Sequence, residues 1–168
     1  AWEADAVLAA SLAAALGPGY AVRNPQFPNE DDPDYQTWAR VIGEEAQSMG
    51  AGAVLVGHSV GGTMVARALC DGLGGQALGG IFLVSTPFWH DDTVWHWPEG
   101  ELPPDTAARF PDVPVFLYHG GADEVVPFAH LDMLSRALPQ ATVRRLAGRN
   151  HQLNDDLAEV AADIQTLG

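Results

Sequence analysis

Apolar and polar positions along this chain fall into short blocks of two kinds. Ala4 to Leu16 is rich in Ala and Leu and reads as a helix, stopped by Gly17-Pro18-Gly19. Tyr20 to Arg23 predicts a short strand. Asn24 to Asp34 holds three prolines and four acids and predicts a loop. From Tyr35 to Met49 the apolar residues recur at helical spacing: Tyr35, Trp38, Ala39, Ile42, Ala46 and Met49. Ala53 to Val56 is a continuous apolar run, expected as a buried strand. Val60 to Leu73 follows as a helix, ended by Gly72 and Gly74-Gly75. Ile81 to Val84, Val113 to Tyr118 and Thr142 to Leu146 predict three more strands, with a helix from Phe128 to Leu138 before the last. Asn154 to Leu167 predicts a closing helix. Asn154 is its expected N-cap, with Leu157, Val160, Ala161 and Ile164 on one side. Ser85 to Asp112 shows no clean period and is rich in Trp, Pro and charge.

Strands thus alternate with helices, and the strands read as continuous rather than alternating apolar runs. That combination predicts the α/β class: a mostly parallel sheet flanked by helices on both faces. With 168 residues, no repeat and no linker, the chain is expected to form a single domain over 1–168. The stretch 88–112 is then a short cap-like insertion. A chain of this length can bury roughly 70% of its unfolded surface, enough for a core without staples.

Charge narrows the partners. Eight basic residues, all Arg, face 22 acids, a formal charge of −14. Such a balance disfavours phosphate backbones and anionic lipid, so no nucleic acid and no membrane are expected. No apolar run approaches the roughly 18 residues of a spanning helix. The start, AWEADAVL, lacks the basic region of a secretory signal. The single Cys70 has no disulfide partner and lies in an apolar helical pattern, which fits the core of a cytoplasmic protein.

The chemistry concentrates in VLVGHSVGG, Val54 to Gly62. Gly57-His58-Ser59-Val60-Gly61 fits G-x-S-x-G between a strand and a helix, the context of a nucleophile elbow. In such a turn a strained backbone exposes the serine hydroxyl at the carboxyl end of the sheet. Small neighbours, here Gly57 and Gly61, let strand and helix approach. The next amide, Val60 N–H, opens the helix and points at developing negative charge, making it the expected oxyanion donor. His58 is adjacent in sequence, so its ring leaves the turn in another direction. It is expected as a packed or hydrogen-bonded residue rather than the base.

A serine on this elbow takes its acid and its histidine, in that order, from later strand ends. After Val113 to Tyr118 comes His119-Gly120-Gly121-Ala122-Asp123-Glu124-Val125-Val126-Pro127, with Asp123 the candidate acid and Glu124 expected to point elsewhere. After Thr142 to Leu146 comes Ala147-Gly148-Arg149-Asn150-His151-Gln152, with His151 the candidate base. His151 would take the Ser59 proton and return it to the leaving group, while Asp123 holds the tautomer.

With these motifs in order, the chain resembles an α/β-hydrolase. More narrowly, it resembles the small, nearly capless serine hydrolases of the retinoblastoma-binding-protein-9 type and their bacterial relatives. The resemblance is carried by Pro28-Asn29-Glu30 with Trp38, Gly57 to Gly62, Ser85 to Phe88, His119 to Pro127 and Gly148 to Gln152. It implies esterase-like hydrolysis of small acyl substrates, esters or thioesters, through an acyl-enzyme. A peptidase or amidase with the same triad, and a non-catalytic binding module on this scaffold, are the rival readings.

The resemblance also implies a first strand and a Gly-rich turn carrying the second oxyanion donor. Neither is visible before Trp2, and roughly 20 residues of the parent protein are expected to precede this sequence. In the family that strand lies between those expected at Tyr20 and Ala53, so without it the sheet would gap or the two would be forced together. In the insertion, Phe88, Trp89, Trp95 and Trp97 are expected as an apolar wall over the site. The alternatives are a pin that holds the loop to the body, or a dimer patch. His90, Asp91, Asp92 and His96 are weighed as metal ligands and expected instead as solvated loop polars. No cofactor is expected. Glu30, in the acidic run Asn29 to Asp34, is expected near the site edge.

Overall fold

The computed structural model describes residues 2–73 and 77–168. In chain order the elements are α1 (Trp2–Leu16), α2 (Tyr35–Met49), β1 (Val54–His58), α3 (Val60–Cys70), β2 (Gly80–Val84), α4 (Thr106–Arg109), β3 (Val115–Gly120), α5 (Ala129–Ala137), β4 (Thr142–Leu146) and α6 (Ala158–Gln165). The four strands form one parallel sheet in the order β1-β2-β3-β4. Their registers pair His58 with Val84, Val84 with Tyr118 and His119 with Arg145. The turns after β1, β3 and β4 therefore leave the sheet at one rim.

The strand side chains divide by period two. On β2, Ile81 and Leu83 face a core with Trp38, Ile42, Met64, Leu69, Leu131 and Leu138 from α2, α3, α5 and the residue after it. Phe82 and Val84 face the other core, built with Leu8, Leu12 and Leu16 of α1 and Val160, Ala161 and Ile164 of α6. A strand buried on both faces must be apolar throughout, which is why β2 and β3 read as continuous runs. The leucines of α1 recur every four residues on one face, and each burial stabilises by about 1.5–3 kcal/mol. Phe82 and Phe116 stack at 4.8 Å across the sheet. Helix α2 begins where Asp34 Oδ2 accepts the Thr37 N–H at 2.7 Å, a cap worth about 1 kcal/mol.

Four expectations need correction. Tyr20 to Arg23 forms no strand. An extended segment becomes a strand only by pairing its backbone, and among the described residues β1 pairs with β2 alone. Tyr20 is exposed and Val22 merely leans on the α1–α6 core, so the segment neither joins β1 nor builds a ladder elsewhere. Strand β4 is an exposed edge rather than a buried run. Its Arg144 pairs with Asp163 and its Arg145 with Asp132, charges that protect an open edge. Asn154 caps no helix. Leu153, Asn154 and Asp155 form a left-handed turn at φ 49°, 58° and 57°, and α6 starts only after it, at Ala158. Helix α3 stops at Cys70, with Gly72 at φ +81° beyond it; Gly74 and Gly75 lie outside the described residues.

The insertion 88–112 is irregular apart from the single turn α4. Among the described residues no helix is long and apolar enough to cross a membrane.

Candidate active site

Ser59 sits between β1 and α3 at φ 52°, ψ −126°, a backbone that L-residues adopt only under strain. Its N–H donates to the Val84 carbonyl at 2.9 Å, which anchors the turn to β2. The small-residue requirement falls on Gly57 and Gly62, not on the expected pair Gly57 and Gly61. A Cβ on Gly57 would lie 2.6 Å from Gly62 Cα, and one on Gly62 would lie 1.9 Å from Thr86 Oγ1. A Cβ on Gly61 would meet nothing within 4 Å. The tight approach is between the elbow and the segment after β2, one residue further along α3 than expected. Val60 is the first residue of α3, where amides have no intrahelical acceptor.

The structure brings the three spaced candidates together. His151 Nε2 lies 3.1 Å from Ser59 Oγ. His151 Nδ1 lies 2.9 Å from Asp123 Oδ2 and 3.1 Å from its Oδ1. Asp123 is also fixed by its own loop, Oδ1 accepting the Val125 and Val126 N–H groups at 2.8 Å each. Its side chain is wholly buried. Burial alone would push the carboxyl upward. The His151 hydrogen bond and the Val126 and Val125 amides outweigh it and hold the group below its ordinary value.

The same carboxylate meets a second imidazole. His119 Nε2 lies 3.1 Å from Asp123 Oδ2 and 3.0 Å from the Val126 carbonyl, with no exposed side-chain surface. Burial drives its pKa down, so the ring is neutral and its one N–H is shared between those acceptors. Its Nδ1 is buried without a hydrogen-bond partner. Sequence reasoning left His119 unused, though a histidine ending the apolar run Val115 to Tyr118 is itself a signal.

The loop bearing His151 is closed by two asparagines. Asn150 N–H donates to Asn154 Oδ1 at 3.0 Å, and Asn154 N–H to Asn150 Oδ1 at 2.7 Å. Arg149 Nη1 donates to the carbonyl of Leu153 at 2.7 Å, and Leu153 is fully buried. These contacts and that burial offset the left-handed turn, which costs roughly 1–2 kcal/mol per residue. Arg149 O accepts the Ala122 N–H at 2.9 Å and so ties this loop to that of Asp123.

Glu124 stays off the His151 ring, but its Oε2 accepts the His151 backbone N–H at 3.2 Å. His58 is hydrogen-bonded, as expected, with Nδ1 2.9 Å from Asp5 Oδ1 and Nε2 3.0 Å from the His151 carbonyl oxygen. Asp5 and His58 are far apart in the sequence, and nothing in it signalled the pair. Glu30 accepts the backbone N–H of Trp2 at 2.8 Å.

Of the aromatic residues in the insertion, Trp89 is the hub. Its indole N–H donates to Thr63 Oγ1 at 2.9 Å, one helical turn after Ser59. Trp95 and Trp97 pack against it at 5.5 and 5.4 Å. Trp95 also lies edge-on to His130 at 4.7 Å, and the Phe88 N–H donates to His130 Nδ1 at 2.9 Å. Burial lowers the His130 pKa, which leaves that nitrogen free to accept. The cluster thus pins the insertion to α3 and α5. A hollow of about 340 Å³ lies between Phe88, Leu102, Pro103, Pro104 and α5, and one of about 660 Å³ lies around Pro111 and Gln140; Ser59, Asp123 and His151 line neither. Among the described residues no three His, Cys, Asp or Glu side chains gather as a metal site.

A parallel sheet with helices on both faces and a serine elbow at its carboxyl rim defines the α/β-hydrolase superfamily. Solved structures of similar fold include the esterase RhEst1 from Rhodococcus sp. ECU1013, at 17% identity over 92% of this chain and 86% of that one, with a TM-score of 0.65. The ydeN gene product of B. subtilis gives 20%, 85%, 80% and 0.68, and a bromoperoxidase from Bacillus anthracis gives 15%, 98%, 86% and 0.67. No curated protein matches the sequence. Residues 10–156 match the family model described as Serine hydrolase, and the chain belongs to that family.

Proposed function

We propose that this hydrolase cleaves small carboxylic esters or thioesters through an acyl-enzyme, with Ser59, His151 and Asp123 as its triad. The observation that carries the reading is the unbroken line of contacts from Asp123 through both His151 nitrogens to Ser59 Oγ. His151 Nε2 removes the Ser59 proton as Oγ attacks the acyl carbon. The Val60 N–H receives the charge on the carbonyl oxygen, and His151 then protonates the departing alcohol or thiol. Water repeats the sequence to release the acid. Asp123, held ionised by its amides and by His151, stabilises the imidazolium and fixes the tautomer.

Esterases among the structures of similar fold support an ester over an amide substrate. Trp89, bonded to Thr63 one turn after Ser59, and its neighbours Phe88, Trp95 and Trp97 are the surface on which the acyl chain would lie. The buried thiol of Cys70 suits a reducing compartment such as the cytoplasm. A series of p-nitrophenyl esters of increasing chain length tests the reading. Hydrolysis that vanishes in Ser59→Ala and declines beyond a defined acyl length supports it. Equal rates for wild type and Ser59→Ala refute it.

A further inference from the structure

His58 presents both ring nitrogens to atoms that can only accept. Nδ1 faces the Asp5 carboxylate at 2.9 Å and Nε2 faces the His151 carbonyl oxygen at 3.0 Å. A neutral imidazole carries one N–H and can satisfy only one of them. The contact with the His151 carbonyl oxygen needs a proton on Nε2. The side chain is 11% exposed, so water is a poor substitute for either contact.

The second acceptor is the main chain of the base itself. His151 has its N–H donated to Glu124 and its carbonyl bonded by His58, so the peptide groups on both sides of its Cα are gripped. Its ring swings from that Cα to reach Ser59 Oγ at 3.1 Å. We propose that His58, itself held by Asp5 of helix α1, is a positioning residue that fixes the His151 main chain and so aims its imidazole at Ser59. The inference rests on the proposed roles of Ser59 and His151. It links the first turn of α1 to a site otherwise built on strand ends.

The Asp5 charge serves a second purpose. The His58 and His151 rings lie 4.9 Å apart, and catalysis places a positive charge on His151. The Asp5 carboxylate adds a negative charge near that cation, beside that of Asp123. The ionisable groups facing the His58 ring are Asp5 from α1 and His151 from the loop after β4.

Two readouts on wild type, His58→Gln, Asp5→Asn and the double variant test this. Asp5 is partly exposed, so Asp5→Asn keeps the fold even if His58→Gln does not. For p-nitrophenyl acetate we expect kcat to fall about 10–100-fold in each single variant with little change in KM. The double variant should be no slower than His58→Gln, because the two residues act as one unit. Imidazole 15N spectra, which need no turnover, should show a displaced His151 signal in Asp5→Asn. Unchanged kcat in both single variants, additive losses, or a His151 signal in Asp5→Asn at its wild-type position would overturn the proposal. A wild type no faster than Ser59→Ala would sink the hydrolytic roles instead, and the spectra would still decide whether His58 places His151.

Discussion

Asp123 and Trp89 sit at the same end of the sheet, yet they are held by different forces. Asp123 is wholly buried and takes hydrogen bonds from His151, His119, Val125 and Val126. Each of these has a narrow distance and angle, and the loss of any leaves a buried charge short of a donor. Trp89 has one hydrogen bond, to Thr63, and otherwise touches Trp95 and Trp97. Ring contacts tolerate small shifts better than this set of hydrogen bonds does. On the proposed function, the contrast separates chemistry from specificity: the polar corner would set the proton path, and the aromatic loop what lies beside it.

Several substitutions sharpen the contrast. Asp123→Asn keeps the shape of the corner but allows the wrong His151 tautomer. Turnover of a p-nitrophenyl ester should fall about 10⁴-fold, with a melting temperature near that of wild type. Gly62→Ala drives a methyl into Thr86 and should cost about 1–3 kcal/mol in a urea titration. Gly61→Ala, beside it in the same helix and facing open space, should instead gain about 0.5–1 kcal/mol.

The buried histidines of the two regions give a pH test. His119 and His130 have folded-state pKa values below their ordinary one, so the unfolded chain binds more protons as pH falls. Their contribution is complete above about pH 6.5 and is lost as pH drops toward the folded values. The urea midpoint should therefore fall on going from pH 7 to pH 5, and less steeply in His119→Gln. Trp89→Phe, which keeps a ring and loses the indole bond to Thr63, should cost about 1 kcal/mol in the same titration.

The parallel sheet, the elbow and the meeting of Ser59, Asp123 and His151 at one rim were legible because each residue follows a local pattern. An apolar run ending in Gly57-His58-Ser59 announces a strand and its turn, and Asp123 and His151 each follow a strand end. Tyr20 to Arg23 misled because β-composition describes a residue's fit to a sheet, not the presence of a neighbouring strand. Asn154 misled because an asparagine before an apolar periodic run also suits a left-handed turn. The contacts of His58 with Asp5 and of Glu124 with the His151 amide were invisible, because they join segments distant in sequence with no periodic pattern between them. The switch from Gly61 to Gly62 follows from the position of Thr86, which only the folded backbone reveals.

The central claim is that Ser59 is made reactive by His151 and Asp123. Its most direct test is covalent labelling with a fluorophosphonate, read by peptide mass spectrometry on wild type, His151→Ala and Asp123→Asn. The account predicts a single adduct on Ser59 in wild type, far slower labelling in Asp123→Asn and none on the same timescale in His151→Ala. Labelling of Ser59 at the wild-type rate in folded His151→Ala, or no adduct on folded wild type, would contradict it.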